Sequence, residues 1–200
     1  MKRYIKADRS WDVLDRKCNR AENPNTPVDE LVDLSIDEDP WVREHVAKNS
    51  NTPINILEVL ADDESRRVRG QVARNPHTPQ DVLMRLAVDS DEEVAAGVSV
   101  NPNTSLKILN QLVDGTHAYR ILHNIADHPN ADSALLDKIA QSGRLWDTAV
   151  YIARHPNVSA ETLDYLAKHS SYRDEYKLYS EIIDNPANER TRQFLSNYNG

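Results

Sequence analysis

One phrase returns along this chain at a fixed interval, and that alone removes most folds from consideration. Asn23-Pro24-Asn25-Thr26-Pro27 reappears as Asn49-Ser50-Asn51-Thr52-Pro53, Asn75-Pro76-His77-Thr78-Pro79 and Asn101-Pro102-Asn103-Thr104-Ser105, each start 26 residues after the last. Looser copies open at His128-Pro129-Asn130, His155-Pro156-Asn157 and Asn185-Pro186, at intervals of 27, 27 and 30 residues. A period of this length marks a repeat array, in which no unit buries its apolar face alone and stacking supplies the core. The 200 residues therefore read as one continuous domain: an N-terminal capping half-repeat over 1–22, six repeats over 23–184 and a truncated capping repeat over 185–200.

Each copy carries two helical signatures. An apolar pair stands eight and eleven residues after each start: Leu31/Leu34, Leu57/Leu60, Leu83/Leu86, Leu109/Leu112, Leu136/Ile139 and Leu163/Leu166. Spacing of three places a pair on one helix face. A second set with helical spacing follows at Val42/Val46, Val68/Val72, Val94/Val98 and Ile121/Ile125, with Thr148 or Ala149 and Ile152 in the fifth copy. Small residues beside it, Ala47, Ala73, Ala126 and Ala153, suit close approach of neighbouring backbones. Thr26-Pro27 with Asp29 predicts an N-cap, a proline in the first turn and a capping box; Thr78-Pro79 repeats the device, and Asp39-Pro40 opens the second helix. Trp11, Val13, Leu14 and Cys18 form a helix-like pattern for the N-terminal cap, and Phe194, Leu195 and Tyr198 for the C-terminal one. The expected fold is all-α, a right-handed α-solenoid of 26–30-residue two-helix repeats.

The pattern Asn-Pro-Asn-Thr-Pro-x-x-x-Leu-x-x-Leu-(Ala/Ser)-x-Asp, followed by Val-Arg-x-x-Val-Ala, resembles the leucine-rich repeat variant family. Thr26-Pro27, Thr52-Pro53, Thr78-Pro79, Val42-Arg43 and Val68-Arg69 carry the likeness, which extends over residues 23 to about 184. The resemblance implies a right-handed superhelix of alternating α and 3₁₀ helices, related to HEAT and armadillo arrays, whose members generally bind partners. One member type holds an iron–sulfur cluster in a cysteine-rich N-terminal segment. This chain has a single cysteine, Cys18, so no cluster or other cofactor is expected.

Charge narrows the partner. The net charge of -8 opposes long-range attraction to nucleic acid or an anionic membrane. Residues 1–22 nevertheless carry seven basic and four acidic side chains against two and seven over 23–48, which leaves room for a local basic patch. A lone cysteine and the lack of a long apolar run fit a soluble cytoplasmic protein, expected to be a monomer.

Three groups of residues are candidates for function. Asp37, Glu38 and Asp39, then Asp62, Asp63 and Glu64, then Asp89, Asp91, Glu92 and Glu93 lie between the two helices of successive repeats and predict an acidic edge. Carboxylates also favour the start of the following helix for capping alone, and none of these stretches has the pattern of a calcium loop. The outward face of the second helices varies from copy to copy: Trp41, Glu44 and His45; Arg67, Gly70 and Gln71; Glu93, Ala96 and Gly97; Arg120, His123 and Asn124; Asp147, Val150 and Tyr151. Of these, Trp41, His45, Arg67, Gln71, Arg120, His123, Asn124 and Tyr151 are the expected partner-binding set, and Gly70, Ala96 and Gly97 would open a shallow space among them. Finally Arg66, Arg67, Arg69 and Arg74, with Arg43 and Lys48 before them, cluster in a way that suits phosphate. The recurring slot of Arg43 and Arg69 favours a ladder with the neighbouring acidic loops instead.

His128 and His155 occupy the slot held elsewhere by Asn, which points to turn hydrogen bonding rather than metal. No nucleophile elbow, phosphate loop or paired-histidine zinc motif appears, so no catalysis is expected. The expected role is a non-enzymatic protein-interaction module or scaffold, whose partner the net charge suggests is basic. Two other classes compete: an acidic inhibitor or decoy of a basic nucleic-acid-binding protein, in the manner of phage anti-defence proteins, and a HEAT-like DNA-binding protein or DNA glycosylase. The last needs a basic groove, which Glu44, Glu93 and Asp147 oppose.

Overall fold

A computed structural model describes residues 5–115, 118–143, 148–169 and 175–187. Within them every regular element is an α-helix. A leading helix α1 (Ile5–Glu22) is followed by six pairs: α2 (Val28–Ser35) with α3 (Pro40–Lys48), α4 (Ile54–Leu60) with α5 (Arg66–Arg74), α6 (Gln80–Leu86) with α7 (Glu92–Val100), α8 (Leu106–Gly115) with α9 (Tyr119–Ala126), α10 (Ser133–Gln141) with α11 (Thr148–Arg154), and α12 (Ala160–His169) with α13 (Glu175–Asp184). The chain divides into two compact units, Met1–Thr104 and Ser105–Gly200. In the first, α1, α3, α5 and α7 pack in succession, each second helix also touching its own first helix. In the second, α9, α11 and α13 do the same, with α10 against α12. Each unit is a short α-solenoid, as the period requires.

The core follows the repeat positions. Leu31, Leu57, Leu83, Leu109, Leu136 and Leu163 are fully buried, as are Val42, Val46, Val68, Val72, Val94, Val98, Ile125 and Ile152. Leu34 is half-buried, and Thr148 and Ala149 both point inward. In α1 burial grows toward the C-terminal end, from exposed Trp11 and Val13 through half-buried Leu14 and Cys18 to Ala21. The nine-residue α3 shields only the last turns of this eighteen-residue helix. The expected closing residues Phe194, Leu195 and Tyr198 lie outside the described residues, as does Asp147.

Two expectations about helix type and capping need correction. Both helices of each described pair are α, with no alternation with 3₁₀. In α4, for instance, the Pro53 carbonyl accepts from Ile56 N–H at 3.0 Å and from Leu57 N–H at 3.1 Å, so three-residue bonds occur at its ends while the turns between are α. Nor does threonine cap the first helix. Pro27, Pro53 and Pro79 occupy the N-cap position with no side-chain bond, and the threonines before them turn back into the core. Thr52 Oγ1 donates to Val46 O and Thr78 Oγ1 to Val72 O, each at 2.5 Å, and Thr104 Oγ1 to Val98 O at 2.7 Å. They add a second bond to carbonyls at the C-terminal end of the preceding helix, which also accept the N–H of Asn49, Asn75 and Asn101. Where the proline is replaced, the slot regains a cap: Asp132 accepts from Leu135 N–H at 2.8 Å and Ser159 Oγ from Thr162 N–H at 3.0 Å. Asp39 caps α3 as expected, accepting from Trp41 N–H at 2.9 Å.

The first residue of the repeat phrase joins neighbouring repeats. Asn75 is buried; its Nδ2 donates to Ala47 O at 2.8 Å and to Asn49 O at 3.0 Å, while its Oδ1 accepts from His77 N–H at 2.9 Å. Asn49 does the same to Ala21 O and Asn23 O, and Asn101 to Ala73 O and Asn75 O. Two positions on, a second rung reaches back: Asn51 donates to Pro24 O, His77 Nδ1 to Ser50 O at 2.6 Å, and Asn103 to Pro76 O. The amide of Asn is suited to this joint because it offers two N–H donors and an acceptor on one short side chain. As expected, His128 and His155 serve the turn: their Nδ1 atoms accept from Asn130 N–H at 3.1 Å and Asn157 N–H at 3.0 Å, and His155 Nε2 donates to His128 O at 3.1 Å.

Candidate functional site

The acidic loops are tied into the same architecture. Asp37, Asp63 and Asp89 each accept the N–H two residues on, at 3.0, 2.8 and 2.8 Å, which closes the loop before the second helix. Each also receives a cation from the preceding repeat or cap. Lys17 meets Asp37 at 2.5 Å, Arg43 grips Asp63 through two bonds of 2.6 and 3.0 Å, and Arg69 grips Asp89 through two of 2.7 and 3.0 Å. Arg43 Nη1 also donates to Asp37 O and Glu38 O, and Arg69 Nη1 to Asp63 O and Glu64 O. Asp63 and Asp89 are only 7% and 10% exposed, so these paired bonds lose less to solvent screening than a surface ion pair does. The Arg69 guanidinium holds the Asp89 carboxyl below the usual carboxylate range, against the opposing effect of burial.

Other carboxylates of the edge are also engaged. Asp62 pairs with Arg85 at 3.0 Å and Asp91 with Arg66 at 3.0 Å, and Asp91 also caps α7 through Glu93 N–H. Glu64 lies 3.6 Å from Arg43 and Glu93 3.6 Å from Arg74, while Glu38 and Glu92 are exposed. Among the described residues no three His, Cys, Asp or Glu side chains are grouped to hold a metal ion. Burial pushes the Cys18 thiol up and nearby Asp39 and Asp15 push it further, the opposite of what a nucleophilic cysteine needs.

In the first unit the second helices bring Trp41 and Arg67 together. Both stand in the first turn of their helices, one repeat period apart. Stacking α5 on α3 puts the Arg67 guanidinium 4.6 Å above the Trp41 ring, whose residue remains 49% exposed. One turn further, His45 Nδ1 donates to Trp41 O at 2.7 Å, and its Nε2 lies 3.5 Å from Glu22. Gln71 donates to Glu44 Oε1 at 3.2 Å, whereas Glu44 Oε2 is buried with no hydrogen-bond partner among the described residues.

The small residues here do not open a space. Gly70, Ala96 and Gly97 are buried, and a Cβ at Gly97 would stand 2.8 Å from Ala73 Cβ and 3.0 Å from Gly70 O. They let α7 lie close against α5, and Arg74 folds over Gly70 to reach its carbonyl at 3.0 Å. A missing side chain reads in sequence as room; in the stack the neighbouring backbone takes it.

The second unit has its own cluster. His123 of α9 and Tyr151 of α11 stack with centroids 4.9 Å apart, and the Arg154 guanidinium lies 4.5 Å over the same Tyr151 ring. Arg154 Nη2 donates to Asp127 Oδ1 at 2.8 Å, completing an aromatic–guanidinium–carboxylate column. Arg120 is exposed and Asn124 half-buried on the helix that carries His123, while Val150 is buried in the core. Arg154 and Asp127 were not among the expected residues. Their signal is spacing: Asp127 precedes Arg154 by one 27-residue period, just as Trp41 precedes Arg67 by 26.

Comparison with known proteins agrees with this architecture. Residues 66–91, one full period beginning at α5, match the family model for the leucine rich repeat variant. The chain is also similar to a solved structure described as a leucine-rich repeat variant with a novel repetitive protein structural motif, at 23% identity and a TM-score of 0.60. The alignment covers 80% of this chain and 61% of that one, so the chain spans about three fifths of its length. The family resemblance read from the repeat phrase holds, in one repeat and in the fold. No curated protein matches the chain. No described helix is long and apolar enough to cross a membrane.

Proposed function

We propose that this stack of leucine-rich repeat variant units is a non-enzymatic module that binds a protein through the exposed face of its second helices. The observation that carries the reading is the Trp41–Arg67 pair: a large aromatic residue left 49% exposed and held in one orientation by a guanidinium from the next repeat. Aromatic and arginine side chains of this kind supply most of the energy at protein interfaces, and fixing them beforehand lowers the entropic cost of association. Tyr151, stacked between His123 and Arg154, offers a second ordered aromatic of the same type in the other unit. The acidic edge contributes less to this reading, because Asp37, Asp63 and Asp89 already hold the repeats together.

The test is affinity capture from lysate with the wild-type chain and the double variant Trp41→Ala/Tyr151→Ala. The variant is expected to melt near the wild-type temperature, since an exposed cation–π contact contributes only about 0.5–1 kcal/mol. It should also lose a protein that the wild type retains. Retention of nucleic acid without protein would overturn the proposal.

A further inference from the structure

The four arginines of α5 have different fates. Arg66 is bound to Asp91, Arg69 to Asp89 and the Asp63 and Glu64 carbonyls, and Arg74 to Gly70 O beside Glu93. Arg67 faces no carboxylate among the described residues; its contact is the face of Trp41. A guanidinium stacked on a ring has its N–H groups in its own plane, where they can meet an anion, and their fork matches a carboxylate.

The molecule contains a finished example of the arrangement. Arg154 lies 4.5 Å over Tyr151, much as Arg67 lies 4.6 Å over Trp41, and its N–H edge is closed by Asp127 at 2.8 Å. In the first unit the ring and the cation are in place, with no carboxylate of the described residues paired to Arg67.

We infer that the Trp41–Arg67 pair is a receptor for a carboxylate on an acidic segment of a protein partner, which completes in trans the column that Asp127 completes in cis. The inference rests on the interaction-module reading and specifies its chemistry at this patch, where an acidic partner replaces the basic one suggested by net charge. The net charge of -8 does not oppose it at contact range. At physiological ionic strength charges more than about 8 Å away are largely screened, whereas a carboxylate seated on Arg67 meets it directly. The neighbouring carboxylates Asp91, Asp89 and Glu93 are occupied by Arg66, Arg69 and Arg74.

The 200-residue chain, labelled with nitrogen-15, is titrated with an acetylated and amidated tetraglutamate peptide, with its tetraglutamine counterpart and with inorganic phosphate, following the indole N–H resonance of Trp41. Tetraglutamate should move that resonance saturably and tetraglutamine should not. Arg67→Gln should weaken tetraglutamate binding by about tenfold or more, the loss of a charge-assisted bond, and Arg67→Lys should rescue it only in part. Equal tetraglutamate affinity in Arg67→Gln, or phosphate bound as tightly as tetraglutamate, would overturn the assignment. In the lysate experiment, a protein lost by Trp41→Ala/Tyr151→Ala but kept by Arg67→Gln would sink the carboxylate receptor and leave the interaction module standing.

Discussion

In the first unit Asn75 spans the joint between repeats with three hydrogen bonds; in the second, His155 stands in the same slot and makes two. An amide nitrogen carries two hydrogens, whereas an imidazole nitrogen carries one at most, so the substitution removes a rung. The threonine that follows is lost as well: where Thr78 bonds Val72 O, the second unit has buried Ala131 and Val158. The repeat interval also varies between the units. It is 26 residues between the asparagines at 23, 49, 75 and 101, and 27, 27 and 30 beyond. Asn185 restores the three-bond joint across the 30-residue interval, its amide reaching His155 O and Ala153 O, 30 and 32 residues back, while its Oδ1 accepts from Ala187 N–H. In this fold the three-bond joint follows asparagine in its slot, whatever the length of the interval it closes.

That contrast can be broken most directly at Asn75. Asn75→Ala leaves two carbonyls and an N–H without their partner, and should cost about 3 kcal/mol or more at roughly 1–3 kcal/mol for each buried group. His155→Ala removes fewer bonds and should cost less. Urea unfolding, with hydrogen exchange followed separately in each unit, measures both, and equal losses would dissolve the distinction. Gly97→Ala comes next: its Cβ would press on Ala73 Cβ at 2.8 Å, and such overpacking costs about 1–3 kcal/mol. Gly70→Ala meets only the flexible end of Arg74 at 3.2 Å and should be close to neutral. Thermal melts of the two variants compare them, and a neutral Gly97→Ala would show that α5 and α7 are not in tight contact.

The smallest effect is electrostatic. Arg69 depresses the folded-state pKa of Asp89, so the stability from this pair is present above the unfolded carboxylate value, near about 4. It is lost as pH falls through the lower folded value. Urea midpoints taken from about pH 5 to pH 2 should decline less steeply in Asp89→Asn than in wild type. Identical slopes would remove Asp89 from the acid response of the first unit.

The period, the two helices per repeat and the buried Leu and Val positions were readable because they depend on spacing alone. The Arg43 and Arg69 ladder was readable for the same reason, since a charge recurring in one slot opposite recurring carboxylates has a local explanation. Thr26, Thr52 and Thr78 misled because a hydroxyl before proline fits an N-cap and a bond to the previous helix equally well in sequence. The Asn ladder was hidden behind a sufficient reason: Asn before Pro already explains a turn. Trp41 was marked as an anchor, but its partnership with Arg67 appears only when residues one period apart are overlaid, because contacts in a stack run across repeats.

The asparagine joint gives the first unit a direction of growth. Asn49 closes on carbonyls at 21 and 23, Asn75 on those at 47 and 49, and Asn101 on those at 73 and 75; each donor belongs to the later repeat. At this joint a chain made from its N-terminus therefore never waits for an acceptor. Asn49, Asn75 and Asn101 each find their seat already built, and a synthesis halted after any of these repeats leaves none of the three without a place to bind.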